Sequence, residues 1–195
     1  MKIAVIKYNA GNIRSVAFAL ERLNMNFEIT DDPEKIGSAD KVIFPGVGEA
    51  STTMKYLKEK KLNQLIVSLK QPVLGICLGM QLMCKFSEEN STACLGIFDE
   101  EVKKFKPDNN HKVPHMGWNS LQLNSNWLNN TLQDQFVYFV HSYYVPVNSL
   151  TSATTNYINP FSAAMKKNNF YAVQFHPEKS ADAGKMVLES FLKIS

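Results

Sequence analysis

Residues 72–86 read Pro72-Val73-Leu74-Gly75-Ile76-Cys77-Leu78-Gly79-Met80-Gln81-Leu82-Met83-Cys84-Lys85-Phe86. Val73 to Ile76 is an apolar run of strand length, and Leu78 to Phe86 reads as a helix. The two meet at Cys77, with Gly75 and Gly79 two residues to either side. This is the G-x-nucleophile-x-G elbow, carrying Cys in place of Ser. The turn is strained and crowded, so a side chain at either glycine would strike a neighbouring strand or helix. Such a turn raises the sulfur above the carboxyl ends of parallel strands, where open sheets bind ligands. It also sets the sulfur at a helix N-terminus, whose partial positive charge favours thiolate. Cys84 and Cys94 lack this context and read as structural.

Outward from the elbow, strands and helices alternate through the first half. Lys2–Lys7, Phe27–Thr30 and Lys41–Phe44 read as strands. Ile13–Asn24 carries Ile13, Val16, Ala17, Leu20 and Leu23 at helical spacing. Residues 49–70 suggest a long helix broken near Lys60-Lys61. The alternation predicts an α/β fold, an open and mostly parallel sheet flanked by helices. In the second half, Phe136–Val145 reads as a strand, and Ser162–Lys166 with Phe170–Phe175 as a hairpin turned at Lys167-Asn168-Asn169. These would add antiparallel strands, before a closing helix over Asp182–Ile194 with Asp182 as its cap. From Val113 to Met165 the only formal charge is Asp134, amid eight asparagines. Compositional drift toward Asn explains that as readily as burial against another protein, whose interface centres are charge-poor.

A thiolate nucleophile needs a base. His176 follows a strand-like run in Phe175-His176-Pro177-Glu178, and Glu178 is close enough to orient the imidazole as the third member of a triad. Pro177 restricts His176 to extended backbone. Pro45-Gly46-Val47-Gly48 follows the strand ending at Phe44, and such a loop can aim backbone N–H groups at a developing oxyanion. The Leu78 amide, just past the nucleophile, would complete that hole with Gly46 and Val47. Gln81 lies one helical turn past Cys77 on the same face and can hydrogen-bond a polar substrate. His111, His115 and His141 read as structural.

The chain of 195 residues and 22.0 kDa is expected to form one domain spanning 1–195. A net charge of +3 is too mild to argue for nucleic acid. No apolar run approaches the ~18–20 residues of a spanning helix, and no export-signal layout follows Met1-Lys2. Three cysteines, an odd number without paired spacing, speak against a disulfide framework or a zinc site and point to the cytoplasm. No metal or organic cofactor is expected.

Taken together, the PGVG string at 45–48, GICLGMQ at 75–81 and FHPEKS at 175–180 resemble the class I (triad) glutamine amidotransferases. The longer strings Gly11–Val16, Val113–Asn119 (VPHMGWN) and Phe139–Tyr144 (FVHSYY) are similar, more narrowly, to glutaminase subunits of imidazole glycerol phosphate synthases. The resemblance implies that Cys77 attacks the side-chain amide of L-glutamine, with His176 and Glu178 completing the triad. It implies that Gly48, Gln81, Ser142 and Tyr143 hold the substrate. It also implies a partner, a cyclase subunit built as a β/α barrel that receives the ammonia in a step of histidine synthesis, with Asn12, Met116, Trp118 and Lys179 at the interface. The chain departs from the pattern in two places. Lys7-Tyr8-Asn9-Ala10 stands where Asp-Tyr-Gly is frequent, and Glu49-Ala50 stands where Ala-Phe is commoner. A glutaminase serving another synthase, such as a surface-sugar pathway, is the nearest alternative. Related cysteine peptidases often carry His after the nucleophile, where this chain has Leu78.

Overall fold

The computed structural model describes residues 1–8, 13–46, 48–125 and 127–194. Expected site residues Asn12 and Val47 lie outside them, as do Asn9 and Ala10 of the departure at 7–10. The first half runs β1 (Ile3–Ile6), α1 (Ile13–Arg22), β2 (Phe27–Thr30), α2 (Pro33–Gly37), β3 (Lys41–Phe44), α3 (Ala50–Glu59), α4 (Leu62–Ser68), β4 (Val73–Ile76) and α5 (Leu78–Met83). The helix expected over 49–70 is indeed broken at Lys60-Lys61, where Lys61 adopts φ 57°. There follow β5 (Phe86–Ser87), β6 (Thr92–Ala93), β7 (Glu101–Lys104), β8 (His115–Ser120), β9 (Gln122–Leu123), β10 (Phe136–His141), β11 (Tyr143–Tyr144), β12 (Thr151–Tyr157), β13 (Asn159–Lys167), β14 (Phe170–Val173) and α6 (Ala181–Leu192).

Among the described residues, eight strands form one sheet in the order β2-β1-β3-β4-β14-β13-β12-β9. The pairs from β2 through β14 are parallel, and those from β14 to β9 antiparallel. The α/β class with added antiparallel strands is therefore the observed one. Side chains alternate between two hydrophobic layers, as a strand's period of two requires. Ile3, Val5, Ile43, Leu74 and Ile76 meet Leu20, Val187 and Phe191 of α1 and α6 on one face. Ala4, Ile6, Val42, Phe44 and Val73 meet Met54, Leu57, Ile66 and Met80 of α3, α4 and α5 on the other.

Two smaller sheets, β10-β8 and β11-β7-β5-β6, stand beside the main one. The stretch expected as one strand over Phe136–Val145 is thus two. It pairs with β8 as far as His141 and with β7 from Tyr143, changing sheets at Ser142. The helix expected over Leu78–Phe86 stops at Met83, because Cys84 turns extended and Phe86 enters the ladder with Ala93 and Glu101. The expected hairpin forms, with Lys167 opposite Phe170 and Asn168 in the left-handed region at φ 55°. Asp182 is not the cap of α6. It sits in the first turn, and the cap position belongs to Ser180, whose hydroxyl donates to the His176 carbonyl instead (2.7 Å).

Candidate active site

Three adjacent strands bring the site together. In register, Phe44 of β3 lies beside Gly75 of β4, and Ile76 of β4 beside Val173 of β14. Whatever follows their carboxyl ends converges: Gly46 after β3, Cys77 after β4, His176 after β14. Cys77 has φ 50° and ψ −109°, a left-handed conformation uncommon for a residue with a side chain. Its N–H is fixed by the Val173 carbonyl at 2.7 Å. The expected crowding is real. A Cβ on Gly75 would meet Met83 Sδ at 2.9 Å, and one on Gly79 would strike the Phe44 carbonyl. A Cβ on Gly46 would strike the Ile76 carbonyl and the Leu78 and Gly79 nitrogens, so Gly46 lies directly on the elbow.

His176 is buried, and its Nδ1 meets Glu178 Oε1 at 2.8 Å. Burial pushes its pKa down, but the negative sulfur of Cys77, a hydrogen bond to it, and the Glu178 carboxylate outweigh this and carry it up to about 10. Cys77 and Glu178 thus both favour the protonated imidazole, which shares the cleft with the sulfur. Glu178 is itself buried, with its Oε2 unpaired among the described residues. A second donor reaches the sulfur: Gln174 Nε2, at 3.6 Å.

These groups open into a cleft of about 340 Å³, at the small end of the ~300–1,000 Å³ typical of ligand sites. Gly46, Gly48, Cys77, Leu78, Gln81, Ser142, Tyr143, His176 and Lys179, all named from the sequence, line it. A larger groove of about 460 Å³ at the amino ends of β1 and β2 contains none of them. Glu178 stands behind His176 rather than in the cleft. Met116 and Trp118 lie outside it on β8, 63% and 51% exposed, so neither is core. Gln81 is 4% exposed; its amide donates to the Tyr143 carbonyl (2.9 Å) and to Gln174 Oε1 (3.0 Å), which leaves its oxygen for a ligand.

The fold is a widespread one. A protein of Thermoplasma acidophilum, a putative component of GMP synthase, matches with TM-score 0.75 over 98% of this chain and 92% of its own, at 20% identity, a likeness of fold alone. The family model for Glutamine amidotransferase class-I matches residues 5–194. Imidazole glycerol phosphate synthase subunit HisH of Bacteroides fragilis is 61% identical over 196 residues, covering 100% of both chains. The same subunit of Bacteroides thetaiotaomicron is 60% identical, again over 100% of both. The chain belongs to the class-I glutamine amidotransferases, in the HisH line. In this amidotransferase Pro114, Val140 and His141, the last expected to be structural, line the cleft as well, and two polar neighbours, Gln174 and Glu89, escaped the sequence reading. Gln174 is the fully buried amide in the run Tyr171-Ala172-Val173-Gln174-Phe175, and a lone polar residue in an apolar strand was its available signal. Glu89 is the acidic residue lining the cleft, but nothing sets it apart from Glu88, Glu100 or Glu101 in sequence. Its carboxyl is raised by burial, against the pull of the Ala50 N–H, which it accepts at 2.8 Å. Among the described residues no three metal-ligating side chains gather, and no helix is long and apolar enough to cross a membrane.

Proposed function

We propose that this chain is the glutaminase subunit of an imidazole glycerol phosphate synthase, working in the cytoplasm as one amidotransferase domain over 1–195. The observation that carries the chemistry is Cys77 on a strained elbow in the same cleft as His176, whose imidazole Glu178 orients at 2.8 Å. The thiolate attacks the side-chain carbonyl carbon of L-glutamine, and the carbonyl π electrons move onto oxygen. Backbone amides of Leu78 and the Gly46-Val47 loop receive that oxyanion. Collapse of the intermediate expels the amine, which takes the Nε2 proton of His176 and leaves as ammonia. His176 then removes a proton from water as it attacks the thioester, the thiolate departs, and glutamate is released. Gly48, Gln81 Oε1, Ser142 and Tyr143 hold the substrate, and the Glu89 carboxylate suits its α-ammonium.

The ammonia passes to a β/α-barrel cyclase subunit docked on the face that carries Met116 and Trp118, with Lys179 nearer the exit. Phe136, 59% exposed on β10, extends the same apolar face, and contiguous exposed apolar surface of this kind marks docking sites. Lys179 Nζ stands 6.0 Å over the Tyr138 ring, which packs edge-on against Trp118, so the cleft and the face are linked by contact. Glutamate release from glutamine, measured with and without the partner, tests the reading. Wild type should release glutamate chiefly in the complex and Cys77→Ala should release none. Undiminished release by Cys77→Ala would overturn the mechanism.

A further inference from the structure

Two buried histidines outside the triad form a hydrogen-bonded pair: His115 Nδ1 stands 3.0 Å from His141 Nε2. His141 Nδ1 in turn meets the Tyr143 carbonyl at 2.7 Å. A carbonyl can only accept, so His141 carries its proton on Nδ1 and its Nε2 accepts. His115 must then donate from Nδ1, and its Nε2 accepts from the Asn119 amide, 3.5 Å away and anchored on the Asn156 carbonyl at 2.9 Å. Every proton in the chain is fixed by its neighbour. Around the pair are rings: Tyr157 and Phe139 stack on the two sides of His115, and Phe105 and Phe161 pack on His141. Burial lowers both imidazoles, His115 to about 4 and His141 to about 3, so both stay neutral, as this chain of donors requires.

The end of the relay matters more than its middle. The Tyr143 carbonyl receives His141 Nδ1–H and Gln81 Nε2–H together, which fills both of its lone pairs. The adjacent Ser142 carbonyl accepts the Phe105 N–H at 3.0 Å. Gln81 also holds Gln174, which donates to the Cys77 sulfur. The wall of the cleft that changes sheets at Ser142 is thus tied on one side to the nucleophile and on the other to the histidine pair.

We infer that His141, held in one tautomer by His115, is a positioning residue that sets the Ser142–Tyr143 wall against which glutamine is bound. It rests on the glutaminase reading above. In the complex with the partner subunit, His141→Leu should raise the KM for glutamine on the order of tenfold, the cost of one unmade buried hydrogen bond, with kcat changed far less. His141→Asn keeps an N–H near the place of Nδ1 and should return KM most of the way. A merely structural role would lower the active fraction, hence kcat, and leave KM alone. That result would overturn the inference, as would an Asn variant no better than Leu. A second measurement needs no variant. Histidine 15N spectra of wild type should show both residues as neutral Nδ1–H tautomers, and an Nε2–H tautomer for His141 would also overturn it. Wild type without glutaminase activity would bring down the functional reading and this role with it, while the spectra would still report the hydrogen-bond chain.

Discussion

Cys77 keeps a left-handed backbone that costs of order 1–3 kcal/mol, and the fold sustains it through the Val173 carbonyl and the glycines packed around it. The return is a sulfur beside His176, which it helps to hold protonated. A His whose pKa is raised in the folded state contributes stability that is full below its unfolded value of ~6.5 and is lost as pH climbs through the folded value. With His176 at about 10, that loss falls between roughly pH 6.5 and 10. Removing the negative sulfur removes the largest raising influence. In Cys77→Ala the His176 resonance, followed by NMR, should titrate at markedly lower pH than in wild type, and an unchanged midpoint would contradict the ion-pair assignment. At this scale much was legible. The crowded elbow glycines, the cleft shared by Cys77 and His176 and the His176–Glu178 contact follow from sequence, because a strained turn and a His-Pro-Glu run admit few other uses. Gln174 and Glu89 were not, because their importance lies in what stands opposite them in space.

The elements show where local reading stops. The alternating first half yields its strands and the break at Lys60-Lys61 directly from hydrophobic spacing. Short pieces paired late in the chain do not. Thr151–Tyr157 is too polar to announce a strand, yet it pairs with β13 over its length. Ser142 marks a change of partner that periodicity cannot register. The α3 cap is a further instance. Glu49 accepts from the Ser51 and Thr52 N–H groups at 2.8 and 2.9 Å and from Asn90 at 2.7 Å. Burial opposes its charge, but these donors win and bring its carboxyl down to about 2. Glu49→Ala should cost about 1 kcal/mol, the usual worth of such a cap, in urea unfolding at pH 7. A carboxyl depressed in the folded state gives stability that is present above its unfolded value and lost as pH falls through the folded one. The deficit of Glu49→Ala should therefore shrink as the pH is taken from about 4.5 toward 2.

For the molecule as a whole, the apolar face on β8 and β10 and the buried histidines set two further expectations. Trp118, half exposed and edge-packed on Tyr138, has the character of an interface anchor. Trp118→Ala should weaken association with the partner subunit by about 2 kcal/mol or more in titration calorimetry, with the isolated chain's melting temperature little altered. His115 and His141 are lowered in the fold, so the unfolded chain binds protons there that the native one refuses. Stability should decline as pH falls below about 6.5 toward 4, and His115→Asn with His141→Asn should flatten that decline in thermal melts.

The sheet order has a consequence for how the chain is made. Cys77 and its neighbour Gln174 are 97 residues apart in sequence, because β14 is the strand that closes against β4. Until the ribosome has synthesised β14, β4 is an unprotected edge, with open N–H and C=O groups and an apolar flank. During that interval the nascent polypeptide exposes a thiol that has no imidazole to serve it. That edge is closed, and the imidazole supplied, only when residues 170–178 join the fold, so the pocket is the last part of the sheet to assemble.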